Sequence, residues 1–496
     1  MARSNSYQGN PLINLYLLFS AFATKMETVS DFYAEQNIFI TGATGFMGKV
    51  LVEKLLRSFP NIGAIYIMIR PKKGKSAQDR IADYYDSPIF NGLNKHDPVQ
   101  MGKLKLICGD MRMEDLGLRQ SDIVEIMKCS IIFHCAACVR FDQNIRDAVE
   151  MNTLGTYRLL QLAKESRHLK AFVHVSTAYC NCNEQILEEK VYGTPYRPEH
   201  IMKMAEWMPV ELMESIKAEL IYPQPNSYAF SKSLSEALVS QYSKYFPIGI
   251  ARPSIVTAAW EEPIPGWVDN LNGPTGLIVA AGKGVIRSML CNSSYKADVI
   301  PVDFVINGCI LIARDVAITS AKVYNATESG RNPITWKEAL DMGRKHVEEF
   351  PFENMLWYPD GSPKTSKFIH YVAHILFHLA PAYFIDFLMW IMKKEIFMVR
   401  VQKRVSAGLK VLQYYTTKEW NFINANFIRL TDNLSNEDRN KFYIDTRRIE
   451  WNSYMRNYIR GARQYCCKES PATLPQARRR FKRLIYSYLK SPKDLI

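Results

Sequence analysis

The sequence has no second cysteine pair at zinc spacing to set beside Cys135-x-x-Cys138, which leaves no four-cysteine zinc motif. Its ten cysteines are scattered, with no framework for disulfides. They read as reduced thiols in a chain facing the cytosol. No zinc finger, helix-turn-helix or other nucleic-acid module occurs, so nucleic acid is not an expected partner. Acid is in deficit: 63 Lys and Arg against 49 Asp and Glu leave a net charge of +14, suited to an anionic membrane surface or to a polyanionic substrate or cofactor. Long hydrophobic runs are scarce as well. Residues 11–24 form a short one after Arg3, with Ala21-x-Ala23 in the manner of a signal-cleavage site, but Asn14 and Tyr16 interrupt it and Met26 follows. A signal or anchor and an alternative-start segment are the two readings of this extension. What the composition does supply is 496 residues at 47% apolar content, enough for two domains or one large domain with an appendage.

The chain is organised around residues 38–57, IFITGATGFMGKVLVEKLLR, where a β-branched run gives way to three glycines and then to an amphipathic segment. This reads as strand, tight loop and helix. Gly42 allows a sharp turn, Gly45 lets the backbone approach a pyrophosphate, and Gly48 lets the helix lie against the strand. Free N–H groups at the helix start, with the positive end of its dipole, then face bound phosphate.

Further strands are expected at 64–70, 104–110, 131–135, 171–177 and 248–256, with helices between them and a helix-and-loop insertion at 75–103. Such alternation predicts an α/β fold with a doubly wound parallel sheet, whose ligands sit at the carboxyl ends of the strands. The second strand lacks the terminal acidic residue of a site that prefers NAD. It ends instead in Arg70, followed by Lys72 and Lys73, which suits the 2′-phosphate of NADP; a solvated basic loop is the alternative. Asp110 falls where an adenine edge would lie. Cys135 and Cys138 read as small residues packed tightly at a strand end, in preference to redox or metal chemistry. Asn152, inside a helix expected over 145–166, reads on its own as a cap or surface group.

Tyr228 and Lys232 stand four apart in NSYAFSKSLSEALVSQY, on one face of an expected helix. A neighbouring ammonium favours phenolate and so is expected to lower the tyrosine pKa toward useful acid–base chemistry. Thr177 or Ser176, at the end of the fifth strand, is placed to hydrogen-bond a substrate oxygen. Tyr414/Lys418 and Tyr486/Lys490 share the spacing, but only Tyr228 lies between the VST segment and a sixth strand.

With these residues assembled, the order glycine loop, VST, Tyr228-x-x-x-Lys232 resembles the extended short-chain dehydrogenase/reductases. HCAACVRFDQNIRDAVEMNTLGT, FVHVSTAYCN, ARPSIV and DVIPVDFVIN resemble, more narrowly, the fatty acyl-CoA reductases of animals and plants, over about residues 34–345 and more weakly beyond. The resemblance implies a Rossmann domain with substrate-binding insertions and a smaller, mainly helical C-terminal domain. It implies two hydride transfers from NADPH to a long-chain acyl-CoA, giving an aldehyde and then a primary alcohol, with release of CoA. Tyr228 would be the proton donor, Lys232 would tune it and hold the cofactor ribose, and Thr177, or less well Ser176, would hold the carbonyl oxygen. Asn152 would support a water chain behind the lysine. Gly42, Thr44, Gly45, Phe46, Met47 and Gly48 would line the pyrophosphate loop, with Arg70 and Asp110 at the adenosine half. Cys138 departs from the pattern, standing where a hydroxyl residue is more usual.

The expected organisation is an extension over 1–33, the reductase domain over 34–345, a linker over 346–367 around YPDGSPKTSK, a helical domain over 368–460 and a basic tail over 461–496. Residues 368–392 are long enough to span a bilayer, although Pro381 and Asp386 argue against a plain lipid-exposed helix. A membrane-inserted hairpin or tilted span, ended by Lys393 and Lys394, is favoured over a buried helix pair. His370, His374 and His378 form a one-faced stripe without an acidic partner and read as packed polar groups, so no metal is expected. The basic tail reads equally as a membrane-surface helix or a solvated one. The expected setting is the endoplasmic reticulum, or a peroxisome or lipid droplet, with the catalytic domain in the cytosol and a homo-oligomer left open. Two other activities stay in view: sterol or nucleotide-sugar dehydrogenases and epimerases of the extended class, which Arg70 disfavours, and a membrane-bound protein that binds acyl-CoA or NADPH without turnover.

Overall fold

The computed structural model describes residues 28–71, 74–319, 322–359 and 361–490, with side chains as far as 486. The expectations for residues 11–24 and for Lys72 and Lys73 lie outside the described residues. Seven parallel strands form the central sheet: β1 (Ile38–Thr41), β2 (Ile65–Ile69), β3 (Leu104–Cys108), β4 (Ile131–His134), β5 (Ala171–Val175), β6 (Ile248–Pro253) and β7 (Val323–Ala326), in the order β7-β6-β5-β4-β1-β2-β3. The order reverses at β1, which pairs with β2 on one side (Ile38 opposite Ile65) and β4 on the other (Ile38 opposite Ile131). Both faces are covered: Ile38 and Ile40 enter one apolar core while Phe39 enters the other. That is why the strands are apolar throughout rather than alternating. The crevice beyond β1 and β4 is where this architecture places a ligand.

The helices that build the site are α1 (Phe46–Ser58), α2 (Ser227–Tyr242), α3 (Pro274–Gly282), α4 (Val302–Val316) and α5 (Trp336–Glu349). The mainly helical C-terminal region adds α6 (Lys367–Ile391), α7 (Met398–Thr416), α8 (Trp451–Gly461) and α9 (Leu474–Lys490). It packs into the same core as the sheet, where Tyr443, Tyr454 and Ile459 join Ile40, Trp267 and Phe304.

Several expected boundaries are corrected by this packing. Val29, Phe32 and Tyr33 of the expected extension belong to the core: Tyr33 stacks on Phe59 at 4.4 Å and its hydroxyl donates to the Ile310 carbonyl. Residues 346–367 are no linker, since α5 runs to Glu349, Phe352 and Met355 are fully buried, and Ser362–Lys364 pairs with Ser288–Leu290. The Pro and Gly there serve close packing; a Cβ at Gly361 would meet the Ile286 carbonyl at 2.7 Å. No boundary falls at 461 either, because α8 continues through a π turn to Cys466. In α9 Ala477 and Phe481 are buried while Arg478 holds the Glu349 carbonyl, so one face of the tail is docked on the body.

Neither the hairpin nor the buried pair describes residues 368–392. They form one continuous helix that carries a π turn (Ile375–Leu379) ending two residues before Pro381, where the ladder loses a donor. One face is held by the histidine stripe: His378 Nε2 accepts from the Arg287 and Ser288 amides, and His370 Nδ1 meets Ser288 Oγ at 2.9 Å. Asp386 is satisfied by the amides of Phe397, Met398 and Val399, which starts α7. The opposite face carries Phe384, Phe387 and Trp390, each more than half exposed.

Candidate active site

The loop after β1 is shaped by its glycines. Gly42 has φ +76°, a left-handed conformation, and a Cβ there would lie 2.5 Å from the Ala136 amide; one at Gly48 would lie 2.3 Å from the Gly42 carbonyl. Gly45 starts α1 with no side-chain cap, so the first helical N–H groups face the cavity that Gly42, Thr44, Gly45, Phe46, Met47 and Gly48 line. An uncapped helix start in a cradle too tight for side chains fits a dinucleotide pyrophosphate.

Arg70 and Asp110 follow the adjacent strands β2 and β3, 3.4 Å apart, outside the lining of that cavity. Asp110 also accepts from Arg112. Burial pushes the Asp110 carboxyl upward, but the Arg112 hydrogen bonds and the Arg112 and Arg70 charges outweigh it and hold the pKa below the ordinary range. Arg80, not anticipated from the sequence, joins the two halves: one guanidinium nitrogen donates to Thr44 Oγ1 at 3.1 Å and another to the Arg70 carbonyl. Burial, and then Arg70, lower its pKa. Arg70 and Arg112 thus share the Asp110 carboxylate while Arg80 lies against Arg70, leaving positive charge for an anion. The helical spacing of the 75–103 insertion was visible, but not which residue it would turn toward the loop.

The catalytic candidates meet in the same cavity, about 620 Å³, which Ser176, Thr177, Tyr228 and Lys232 all line. Asn226 caps α2 through the Ala229 amide, so the helix starts one residue before Tyr228 and sends both Tyr228 and Lys232 inward. Lys232 Nζ donates to the Val175 carbonyl at the end of β5, 2.7 Å away. Burial draws this ammonium down to about 8, against the Glu236 carboxylate one turn later, which raises it. Glu236 is itself paired twice with Arg252, at 2.8 and 2.5 Å, both side chains being about 1% exposed.

The expected acidification of Tyr228 is corrected. Its pKa stands above the ordinary tyrosine range because burial dominates, with Cys180, Cys138 and Glu236 adding to the effect. Lys232 points its charge at a carbonyl rather than at the phenol. Thr177 Oγ1 accepts from the Tyr179 amide at 3.2 Å and keeps its own proton to donate, whereas Ser176 Oγ is buried with no partner among the described residues.

Asn152 does not line the cavity. The expected helix is broken into Ile145–Ala148, a π turn over Val149–Leu154 and Gly155–Lys164, and the extra residue turns Asn152 toward Cys138. Its Oδ1 accepts from the Cys138 amide at 2.7 Å, while Nδ2 donates to the Cys138 carbonyl and Ser231 Oγ. Both ends of the amide are committed, so in place of the expected water relay Asn152 staples the loop after β4 to α2. Cys135 lines the cavity, and burial pushes its thiol up to about 12, against Lys232, which favours packing over redox chemistry. Tyr414 lies under Lys418, 4.1 Å from ring centre to Nζ, as a cation–π pair whose two members are outside the cavity lining.

Apart from Phe141, the far wall comes from elements that carry no motif. Phe141 meets the Tyr228 ring edge-on at 5.4 Å and touches Tyr415, while Leu412, Tyr415 and Thr416 of α7 close the cavity together with Trp336 of α5. Tyr415 is fixed by a 3.0 Å bond from Asn226. Nothing local in the sequence tied residues so distant to Tyr228.

Two family models match the chain, both described as Male sterility protein: an NAD-binding one over residues 40–309 and a second over 377–469. Fatty acyl-CoA reductase 2 of Mus musculus is 38% identical over 463 residues, 92% of this chain and 90% of that protein. Fatty acyl-CoA reductase 1 of Xenopus laevis is likewise 38% identical with the same coverage. Among solved structures, the reductase domain of a nonribosomal peptide synthetase from Mycobacterium tuberculosis is similar in fold, with a TM-score of 0.59 over 86% of this chain and 91% of that one, at 18% identity.

Proposed function

Since the chain belongs to the fatty acyl-CoA reductase family, and is an oxidoreductase with a nicotinamide-cofactor domain, we propose that it uses NADPH to reduce a long-chain acyl-CoA to the primary alcohol through the aldehyde, releasing CoA. The observation that carries this reading is the convergence of Tyr228, Lys232 and Thr177 with the glycine loop on one cavity. The loop and α1 would hold the pyrophosphate, Lys232 the nicotinamide ribose, and Arg70, Arg80 and Arg112 an adenosine 2′-phosphate. When bound, the cofactor supplies one hydride in each of the two reductions.

Thr177 donates a hydrogen bond to the substrate carbonyl oxygen and fixes it beside the phenol. Tyr228, kept protonated by its burial, gives that oxygen a proton as negative charge develops on it. In the first reduction the C–S bond then breaks and a proton leaves with the CoA thiol; in the second the proton stays as the alcohol hydroxyl. The Lys232 ammonium, held on the Val175 carbonyl, keeps positive charge in the same cavity as the phenolate left behind until solvent restores its proton. Aromatic side chains on the α7 side exclude water from the developing charge.

Membrane association is supported by α6, the one helix among the described residues long and apolar enough to cross a bilayer. With its histidine face bonded to the protein body and its aromatic face exposed, it suits lying along the membrane surface better than spanning it. Exposed Lys393, Lys394, Arg400, Lys403 and Arg404 follow that face and suit anionic headgroups. Incubating the detergent-purified chain with NADPH and palmitoyl-CoA tests the activity. Two NADPH consumed per hexadecanol formed is the expected result, and no oxidation, or oxidation only with a sugar nucleotide or sterol, would overturn it.

A further inference from the structure

A second cavity adjoins the catalytic one, and Pro274, Leu277 and Trp336 line both. Beyond them its walls come from three helices far apart in the chain: α3 contributes Ala281, α5 contributes Ala339, Gly343 and Val347, and α8 contributes Met455 and Ile459. The polar tips that reach it are already engaged. Tyr454 donates to Thr257 Oγ1 and Tyr458 is bonded to Thr275 Oγ1, each at 2.7 Å, so only their rings are offered. Arg344, the one charged residue in the lining, is held by Asp341 and by the Gly361 carbonyl. One polar atom at the junction is without a partner among the described residues: Nε1 of Trp336, on a side chain 7% exposed.

A ligand for this space must be unbranched enough to pass between helices, apolar along its length, and polar only at the end nearest Tyr228. A polar ligand would strip its groups of water against walls that return no hydrogen bond. Resting on the acyl-CoA reading above, we infer that this second cavity, about 100 Å³ in volume, receives the far end of the substrate's hydrocarbon chain beyond the catalytic cavity, that the Trp336 N–H marks the junction between the two, and that Ala281 and Gly343 set how many methylenes fit. The small residues are what keep the space open. A Cβ at Gly343 would meet no atom within 4 Å, in a helix interior where glycine is the poorer choice for stability.

The test compares the full-length chain with Ala281→Phe and Gly343→Leu, measuring kcat/KM across saturated acyl-CoAs of 8 to 20 carbons and NADPH affinity by fluorescence titration. Gly343→Leu adds side chain where there is room and favours the helix, so it keeps the test open if the bulkier variant misfolds. A methylene that loses its place loses about fourfold in kcat/KM. Both variants should therefore lower the ratio of kcat/KM for 18 carbons to that for 10 carbons at least tenfold, with NADPH affinity within about twofold of the parent. An unaltered ratio in a folded variant would overturn the pocket assignment. Failure of the parent chain to oxidise NADPH with any acyl-CoA would instead overturn the activity on which it rests.

Discussion

Burial decides the protonation state of Tyr228, the proposed acid. A phenol above its ordinary pKa stays protonated through the physiological range, ready to donate and poor at accepting. Tyr228→Phe should lower turnover by about 10²–10⁴ with NADPH affinity nearly unaffected, read as alcohol formed against cofactor titration. If the variant still makes alcohol at the parent rate, the proton comes from elsewhere. Lys232 titrates in a more accessible range. Its pKa of about 8 in the free protein means that it is charged below and neutral above, so kcat/KM should be level through neutrality and fall as pH rises past about 8. A flat profile to pH 10 would remove Lys232 from that role. At the adenosine end, Arg80→Ala removes a charge-assisted contact of about 1.5–3 kcal/mol, so KM for NADPH should rise roughly ten- to hundredfold while that for NADH moves little. Equal losses with both cofactors would make Arg80 a loop support only.

At the scale of elements, two helices owe their roles to a π turn. In the 145–164 segment the extra residue brings Asn152 onto Cys138 and α2; in α6 it stands before Pro381 and keeps the helix continuous. A sequence read at strict helical period misses both, since a π turn leaves no compositional mark and shifts only the face that follows it. The aromatic face of α6 gives the element its prediction. Phe387→Glu combined with Trp390→Glu puts charge on side chains already exposed, which leaves the fold intact while flotation with anionic vesicles should fall at least tenfold. Reduction of a water-soluble short-chain substrate in detergent should persist. Undiminished flotation would mean that α6 is not the contacting face.

For the whole molecule, the consequence of a shared core is that the cofactor half and the C-terminal region stand or fall together. Phe304, Trp267, Tyr443 and Tyr454 belong to one apolar cluster, and Leu412, Tyr415 and Thr416 complete the catalytic wall. A chain ending at residue 366 is therefore expected to lack a cooperative thermal transition by circular dichroism, and a cooperative transition near that of the full chain would show the halves to be independent. The parallel sheet, the glycine loop and the helix bearing Tyr228 and Lys232 were legible in the sequence because each is written in contiguous residues whose period and glycine spacing report local geometry. The same local chemistry carried the family resemblance. Packing alone decided the direction of the Tyr228 shift, the commitment of Asn152 to Cys138, the reach of Arg80 to Thr44 and the closure of the cavity by α5 and α7. Each depends on which distant surfaces meet and how much water they exclude, and desolvation and contact between remote segments have no signature along the chain.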